Sequence, residues 1–322
     1  MIKNKDFNLS FVRLVSFLMI ISCHILQGLN NIFAFWLNVG VQIFLFISGY
    51  LYGSKKVDDY KSFYLKRLNK ILLPCSILVI IITILSKIFL NTSYSGITIV
   101  ANILGFGGFY GTIKLLTHTW FVSYILLCYF ITPILDKYFN NENNLIKLII
   151  LIIFLLMLQI FNALNVNIAW ISIYIYGFWY SREKNLKIKK NTLIFIFIIC
   201  VLLLPFKIIV MYEMINLPEI IKFYSEHFLN WTHSLLGITM FIILYKLSSK
   251  IKWKDNKIFK FVDKYSYTIY LTHQIFILNS FSILFITNNI FVNILLIIIC
   301  SFISGVILYY ISDFVSLIIK KN

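Results

Sequence analysis

Apolar runs, each about one bilayer thick and closed by a short polar segment, repeat along the whole chain. A membrane-crossing helix needs about 20 predominantly apolar residues. By that measure the pattern predicts ten spans, over 9–27, 34–53, 71–90, 119–136, 145–164, 167–181, 191–210, 229–247, 266–286 and 290–313. The sixth is short. The second holds Gly40, Ser48 and Gly49, small residues that let helices approach closely. Two connections are long. Residues 91–117 carry Gly105, Gly107, Gly108 and Gly111 with Phe106, Phe109 and Tyr110 between them. Residues 211–230 carry Glu213, Pro218, Glu219, Glu226 and His227. Either could cover a site at the outer interface or simply pack there. No soluble appendage, low-complexity linker or transporter-like internal repeat is evident.

Composition fits this pattern. The chain is 60% hydrophobic and 13% charged, with a mean hydropathy of +0.88, against about 25% charged for soluble domains. The expected fold is all-α: a polytopic bundle of about ten transmembrane helices forming a single domain over 1–322. A net charge of +17 would point to nucleic acid in a soluble protein. Here the cations fill short loops, where they report topology and anionic lipid headgroups, so no nucleic-acid partner is expected. With the N-terminus inside, 24 basic residues fall on inner segments and 4 outside, and the alternation never breaks. Both termini are therefore expected in the cytoplasm. The first run lacks a small-residue cleavage site, so no cleaved signal peptide is expected. The five cysteines (Cys23, Cys75, Cys128, Cys200 and Cys300) lie singly in apolar runs and read as small buried residues.

Residues 11–27 break the apolar rule most sharply. They carry Arg13 and His24, and an ionisable group within a span is a functional-site hypothesis by default. Eleven residues make about three helical turns, so both side chains share one face, about 16 Å apart along the axis. Imidazole suits general-base work because it titrates near neutrality. Gln42, Ser48, His118, Trp120, His233, Tyr270 and His273 are the other polar or aromatic candidates in or beside spans. For His118 and His233, near outer span ends, interfacial packing is the favoured reading. Arg67 and Lys70 are three apart at a helix start and would suit phosphate groups, although ordinary anchoring at the inner surface explains the spacing better. No span centre carries Asp or Glu, which argues against carboxylate proton relays and sodium-coupled carriers. The histidines are scattered and no metal site is expected.

Five phrases then converge. They are Arg13 with His24; Gly40 through Tyr50, reading GVQIFLFISGY; Arg67, Lys70 and Pro74; His118, Trp120, Phe121 and Pro133; and Ser266 through His273, reading SYTIYLTH. In this order, on this topology, the chain resembles the acyltransferase-3 family of bacterial integral membrane acyltransferases. Lys70 stands where the family usually has a second arginine, which loses bidentate phosphate geometry. No acid follows Trp120, as it does in some members, which brings the chain nearer the branch modifying secreted polysaccharides.

The resemblance implies an O-acyltransferase of the bacterial plasma (inner) membrane. It would move an acyl group, acetyl above others, from cytoplasmic acyl-CoA to a hydroxyl of an envelope glycan or lipid-linked sugar. His24 and Arg13 would be catalytic, with His24 as general base or as an acyl-carrying nucleophile. Arg67, Lys70, Tyr270 and His273 would bind acyl-CoA, the last two from the cytoplasmic part of the ninth span. Ser48, Tyr50 and Trp120 would line the active site. Acyl-CoA is a co-substrate and no tightly bound cofactor is expected; a homodimer is left open. The rival readings are an exporter or flippase of a polysaccharide or lipid-linked sugar, and a sensor or assembly subunit of a synthesis complex.

Overall fold

The computed structural model describes residues 6–139, 144–161, 166–183, 189–211, 216–251 and 257–321. Lys3, Lys5, Lys184, Lys187, Lys252 and Lys254, which enter the charge alternation, and Glu213 lie outside the described residues. Among the described residues every regular element is helical. The α-helices are α1 (Phe7–Gly28), α2 (Ala34–Leu37), α3 (Val39–Gly53), α4 (Tyr60–Arg67), α5 (Leu73–Leu90), α6 (Gly96–Ile103), α7 (Gly107–Tyr110), α8 (Trp120–Tyr138), α9 (Asn144–Ile160), α10 (Ile168–Tyr180), α11 (Lys190–Met211), α12 (Glu219–Ser248), α13 (Lys257–Ile277) and α14 (Ile290–Lys321). A π turn (Leu68–Leu72) joins α4 to α5, and a 3₁₀ segment (Lys114–Thr119) leads into α8.

Among the described residues seven helical stretches are long and apolar enough, by length and composition, to cross a membrane. The other three predicted spans are helical but fall short for physical reasons. Helix α9 has 17 residues and α10 has 13, so α10 is about 20 Å long against a hydrocarbon core of about 30 Å. Helix α13 has 21 residues, but its first turns carry Lys257, Lys260, Asp263 and Lys264. Two boundaries also move. The ninth predicted span, 266–286, is a helix over Lys257–Ile277, and the eighth begins ten residues early, at Glu219.

The chain divides into two compact units. The first comprises Met1–Cys23, Ile32–Val57 and Ile131–Phe259; the second comprises His24–Asn31, Asp58–Phe130 and Lys260–Asn322. Helices α1, α8 and α13 each contribute to both.

In the first unit α3 lies against α10 and α12, and α12 against α11. Its core is aromatic, with Phe46, Tyr174, Phe178 and Phe241 buried. The small residues of α3 work as their type predicts. A side-chain carbon at Gly49 would run into the Tyr174 carbonyl, and one at Gly40 into that of Ser16. One ionic contact anchors this unit. Asp136, 7% exposed, pairs with Arg182 and accepts from the Val57 amide at 3.1 Å. The same guanidinium donates to the carbonyls of Gly53, Asp136 and Phe139 at 3.0, 3.1 and 3.0 Å. Arg182 is thus an internal clamp as well as a loop cation.

In the second unit α5 meets α6 and α14. Gly305 of α14 faces Ile269 of α13, where an added carbon would clash with backbone. Tyr267 donates to the Ile71 carbonyl at 2.6 Å, tying α13 to the π turn. The glycine-rich connection folds as α6 and α7. Gly105 and Gly111 take φ of +79° and +106°, conformations that side chains disfavour. Asn102 holds the Gly111 carbonyl at 2.9 Å, and Ser123 of α8 accepts from the Gly108 amide at 2.8 Å. This packing delivers the chain into the 3₁₀ segment that carries His118.

Candidate active site

The second unit gathers three of the five histidines. His24 ends the last full turns of α1, His118 lies in the 3₁₀ segment, and His273 lies near the end of α13. Ring centroids are 4.8 Å apart for His24 and His273, 5.3 Å for His118 and His273, and 6.1 Å for His24 and His118. His118 and His273 are buried, at 2% and 0% exposure, and His24 is half-buried.

Hydrogen bonds fix the protons. His273 Nδ1 faces the Tyr270 carbonyl at 2.5 Å. A carbonyl only accepts, so this nitrogen carries a proton. In a neutral ring His273 Nε2 then holds the lone pair, and it lies 2.8 Å from His24 Nδ1. His24 must therefore donate from Nδ1, which leaves the lone pair on its Nε2. Among the described residues that atom makes no hydrogen bond. The chain Tyr270 carbonyl, His273, His24 thus presents one oriented imidazole with its basic nitrogen unengaged. A second group orienting a histidine base is the logic of hydrolytic triads.

His118 is held in another way. Gln274 Oε1 accepts from the His118 amide at 3.0 Å and from Thr117 Oγ1 at 2.9 Å, and faces His118 Nδ1 at 2.6 Å. The amide contact fixes this atom as the oxygen. His118 Nε2 faces the Leu271 carbonyl at 3.0 Å, and Tyr270 donates to the His118 carbonyl at 2.6 Å. Both ring nitrogens thus face acceptors. The lone pairs of the three rings do not converge. Among the described residues no group of three or more His, Cys, Asp or Glu is disposed to hold a metal ion.

A family model described as an acyltransferase domain, acyltransferase-3, matches residues 6–311. The chain belongs to the acyltransferase-3 family. No curated protein and no solved structure matches it. As a member of this family with several membrane-length apolar helices, it is a multi-pass membrane acyltransferase.

The acyltransferase-3 phrases are divided between the two units. His24, His118, Tyr270 and His273 come together. Tyr270 and His273 stand in the last two turns of α13 beside His24, whereas span boundaries at 266–286 would have put them at a span's beginning. Trp120 opens α8 two residues after His118, with its ring 5.8 Å from that of Tyr124. Arg67 ends α4 in the same unit, 5.6 Å from the Phe63 ring and 5.9 Å from that of Tyr129. Lys70 sits in the π turn, exposed. Arg13, Ser48 and Tyr50 belong to the first unit. Arg13 is half-buried on α1. Tyr50 sits in an aromatic cluster, 5.7 Å from Phe241 and 6.3 Å from Tyr180.

Sequence reasoning undervalued His118 and missed Gln274. The available signals were His118's place in the Trp120 phrase and a glutamine directly after His273 in an apolar helix.

Proposed function

We propose that this acyltransferase moves an acyl group, acetyl above others, from cytoplasmic acyl-CoA to a hydroxyl of a cell-envelope glycan, with His24 as general base. The observation that carries the reading is the unengaged Nε2 of His24, set by the His273 contact to Nδ1. Nε2 takes the proton of the acceptor hydroxyl as its oxygen attacks the thioester carbonyl carbon. Collapse of the tetrahedral intermediate breaks the carbon–sulfur bond, and the imidazolium returns the proton to the departing sulfur.

The donor enters from the inner side in this reading. In this reading α9, α10 and α13 cross the bilayer together with the seven longer stretches, both termini are cytoplasmic, and Arg67 and Lys70 meet the phosphates of CoA there. Tyr267 on the Ile71 carbonyl links that basic turn to the helix carrying Tyr270 and His273. The membrane is the bacterial plasma membrane.

The test uses purified full-length protein with radiolabelled acetyl-CoA and candidate glycans. Wild type transfers label to glycan, and His24→Ala binds the donor but transfers none. Transfer retained by His24→Ala removes His24 as the base. Transport of glycan without acyl transfer supports an exporter in its place.

A further inference from the structure

The first unit holds a cleft that the histidine site does not use. Helix α9 rests on α10, and α11 rests on α12. A cavity of about 360 Å³ is lined by all four, with Ile152 of α9, Ile173 of α10, Ile196 of α11 and Ile238 of α12 among its walls. Ile149, Ile153 and Leu235 also line it and stay exposed, so it opens on an apolar, lipid-facing surface. A second cavity, of about 310 Å³, continues along α9 and α12, and Trp231 lines both.

On α12 the two linings form one stripe in steps of three and four residues, from Tyr224 through His227 and Trp231 to Ile238 and Ile242. Such steps keep to one helix face. The stripe covers eighteen positions, about 27 Å along the axis, which nearly matches a hydrocarbon core of about 30 Å. A phospholipid tail occupies one leaflet, about half of that core. The cleft is therefore close to twice as long as such a tail needs.

Its chemistry is that of a hydrocarbon site. No Asp, Glu, Lys or Arg lines either cavity. The serine and threonine hydroxyls are spent on backbone carbonyls: Ser172 donates to Ile168 at 2.9 Å, Ser234 to Asn230 at 2.9 Å and Thr239 to Leu236 at 3.0 Å. Trp231 Nε1 donates to Gln159 Oε1 at 2.6 Å, and Gln159 Nε2 faces His227 Nδ1 at 2.5 Å. This brace between α9 and α12 makes the Tyr224 end the polar one. An uncharged cleft with spent donors, open to lipid, complements an uncharged chain.

We infer that the cleft binds the tail of a polyprenyl lipid, a single isoprenoid chain longer than one leaflet, with its polar head beyond Tyr224. The site does not depend on the acyl-transfer reading, and binding is measured without acyl-CoA. On that reading such a lipid is the anchor of a lipid-linked acceptor.

The test is binding to purified, delipidated full-length protein in detergent, read by native mass spectrometry. Undecaprenyl phosphate is compared with farnesyl phosphate, which has the same head on a much shorter chain, and with dipalmitoyl phosphatidylglycerol. The tail passes from one apolar phase to another, so selectivity rests on packing along the cleft. Undecaprenyl phosphate binds about tenfold or more tightly than either comparison lipid. Ile238→Trp and Ile149→Trp, which fill the larger cavity from α12 and α9, each weaken it about tenfold. Phe195→Trp, on an exposed position of α11 outside the lining, leaves it unchanged. Five results overturn the site: no binding of undecaprenyl phosphate; farnesyl phosphate binding as tightly, which reduces the ligand to its phosphate; phosphatidylglycerol binding as tightly, which makes the cleft part of the ordinary lipid annulus; unchanged affinity in folded Ile238→Trp and Ile149→Trp; or equal loss in Phe195→Trp. The chain-length comparison uses wild type alone, so it decides even where a tryptophan variant fails to fold.

Discussion

At the scale of single residues, the proposed chemistry rests on one bare nitrogen and on what keeps it bare. His273 orients His24, and the Tyr270 carbonyl orients His273. Replacing His273 by leucine removes the acceptor for His24 Nδ1–H, so the ring is free to adopt the unproductive tautomer. Turnover should fall about 10²–10⁴-fold, read as kcat in a labelled-acetyl assay. His273→Gln, whose amide oxygen can accept from Nδ1–H, should recover part of the loss; equal loss in both variants would argue for a packing role alone. Gln274 has a different task, since one oxygen satisfies Thr117 and two groups of His118. Gln274→Leu leaves buried donors unpaired and should cost about 1–3 kcal/mol for each, seen as a lower melting temperature in detergent. His24 was legible in the sequence because an ionisable group in an apolar run stands out. His273 and Gln274 were not assigned these roles because the partners they orient lie 249 and 156 positions away.

At the scale of elements, departures from the regular α-helix set the geometry. The 3₁₀ segment before α8 turns His118 inward, and the π turn before α5 leaves the Ile71 carbonyl to accept from Tyr267. Neither departure has a periodic signature, so hydropathy showed helices and missed their irregular ends. The Arg182–Asp136 clamp is an element-level device too, joining the ends of α3, α8 and α10. Removing one partner strands the other in a largely dry site. Asp136→Ala should destabilise by about 3–5 kcal/mol, whereas Asp136→Leu with Arg182→Met should cost less. Thermal unfolding of the three proteins checks this, and equal losses in single and double variants would count against the clamp.

At the scale of the molecule, the charge alternation predicts a direction for the chain. Lys55, Lys114 and Lys189 are all exposed, and every described cysteine is buried or half-buried. A membrane-impermeant maleimide on intact cells should therefore label Lys114→Cys and spare Lys55→Cys and Lys189→Cys. The reverse pattern would invert the topology. On the proposed function Arg67→Ala should raise KM for acyl-CoA with kcat little changed, since the proposed phosphate contact, distant from the thioester, would contribute equally to ground and transition states. A fall in kcat at constant KM would move Arg67 into the chemical step.

The amino-acid sequence by itself determined an all-helical membrane protein, its family, and Arg13 and His24 as ionisable groups on one face of the first helix. Those features are local: residue type, a 3.6-residue period and short phrases suffice to read them. Tertiary structure alone decided that His24, His118 and His273 meet, which ring nitrogen of His24 is left bare, that α13 ends at Ile277, and that Lys207 turns inward onto Asn230 and His233. Each depends on contacts between helices far apart in the chain, and helical periodicity assigns a residue to a face without saying which helix that face will meet.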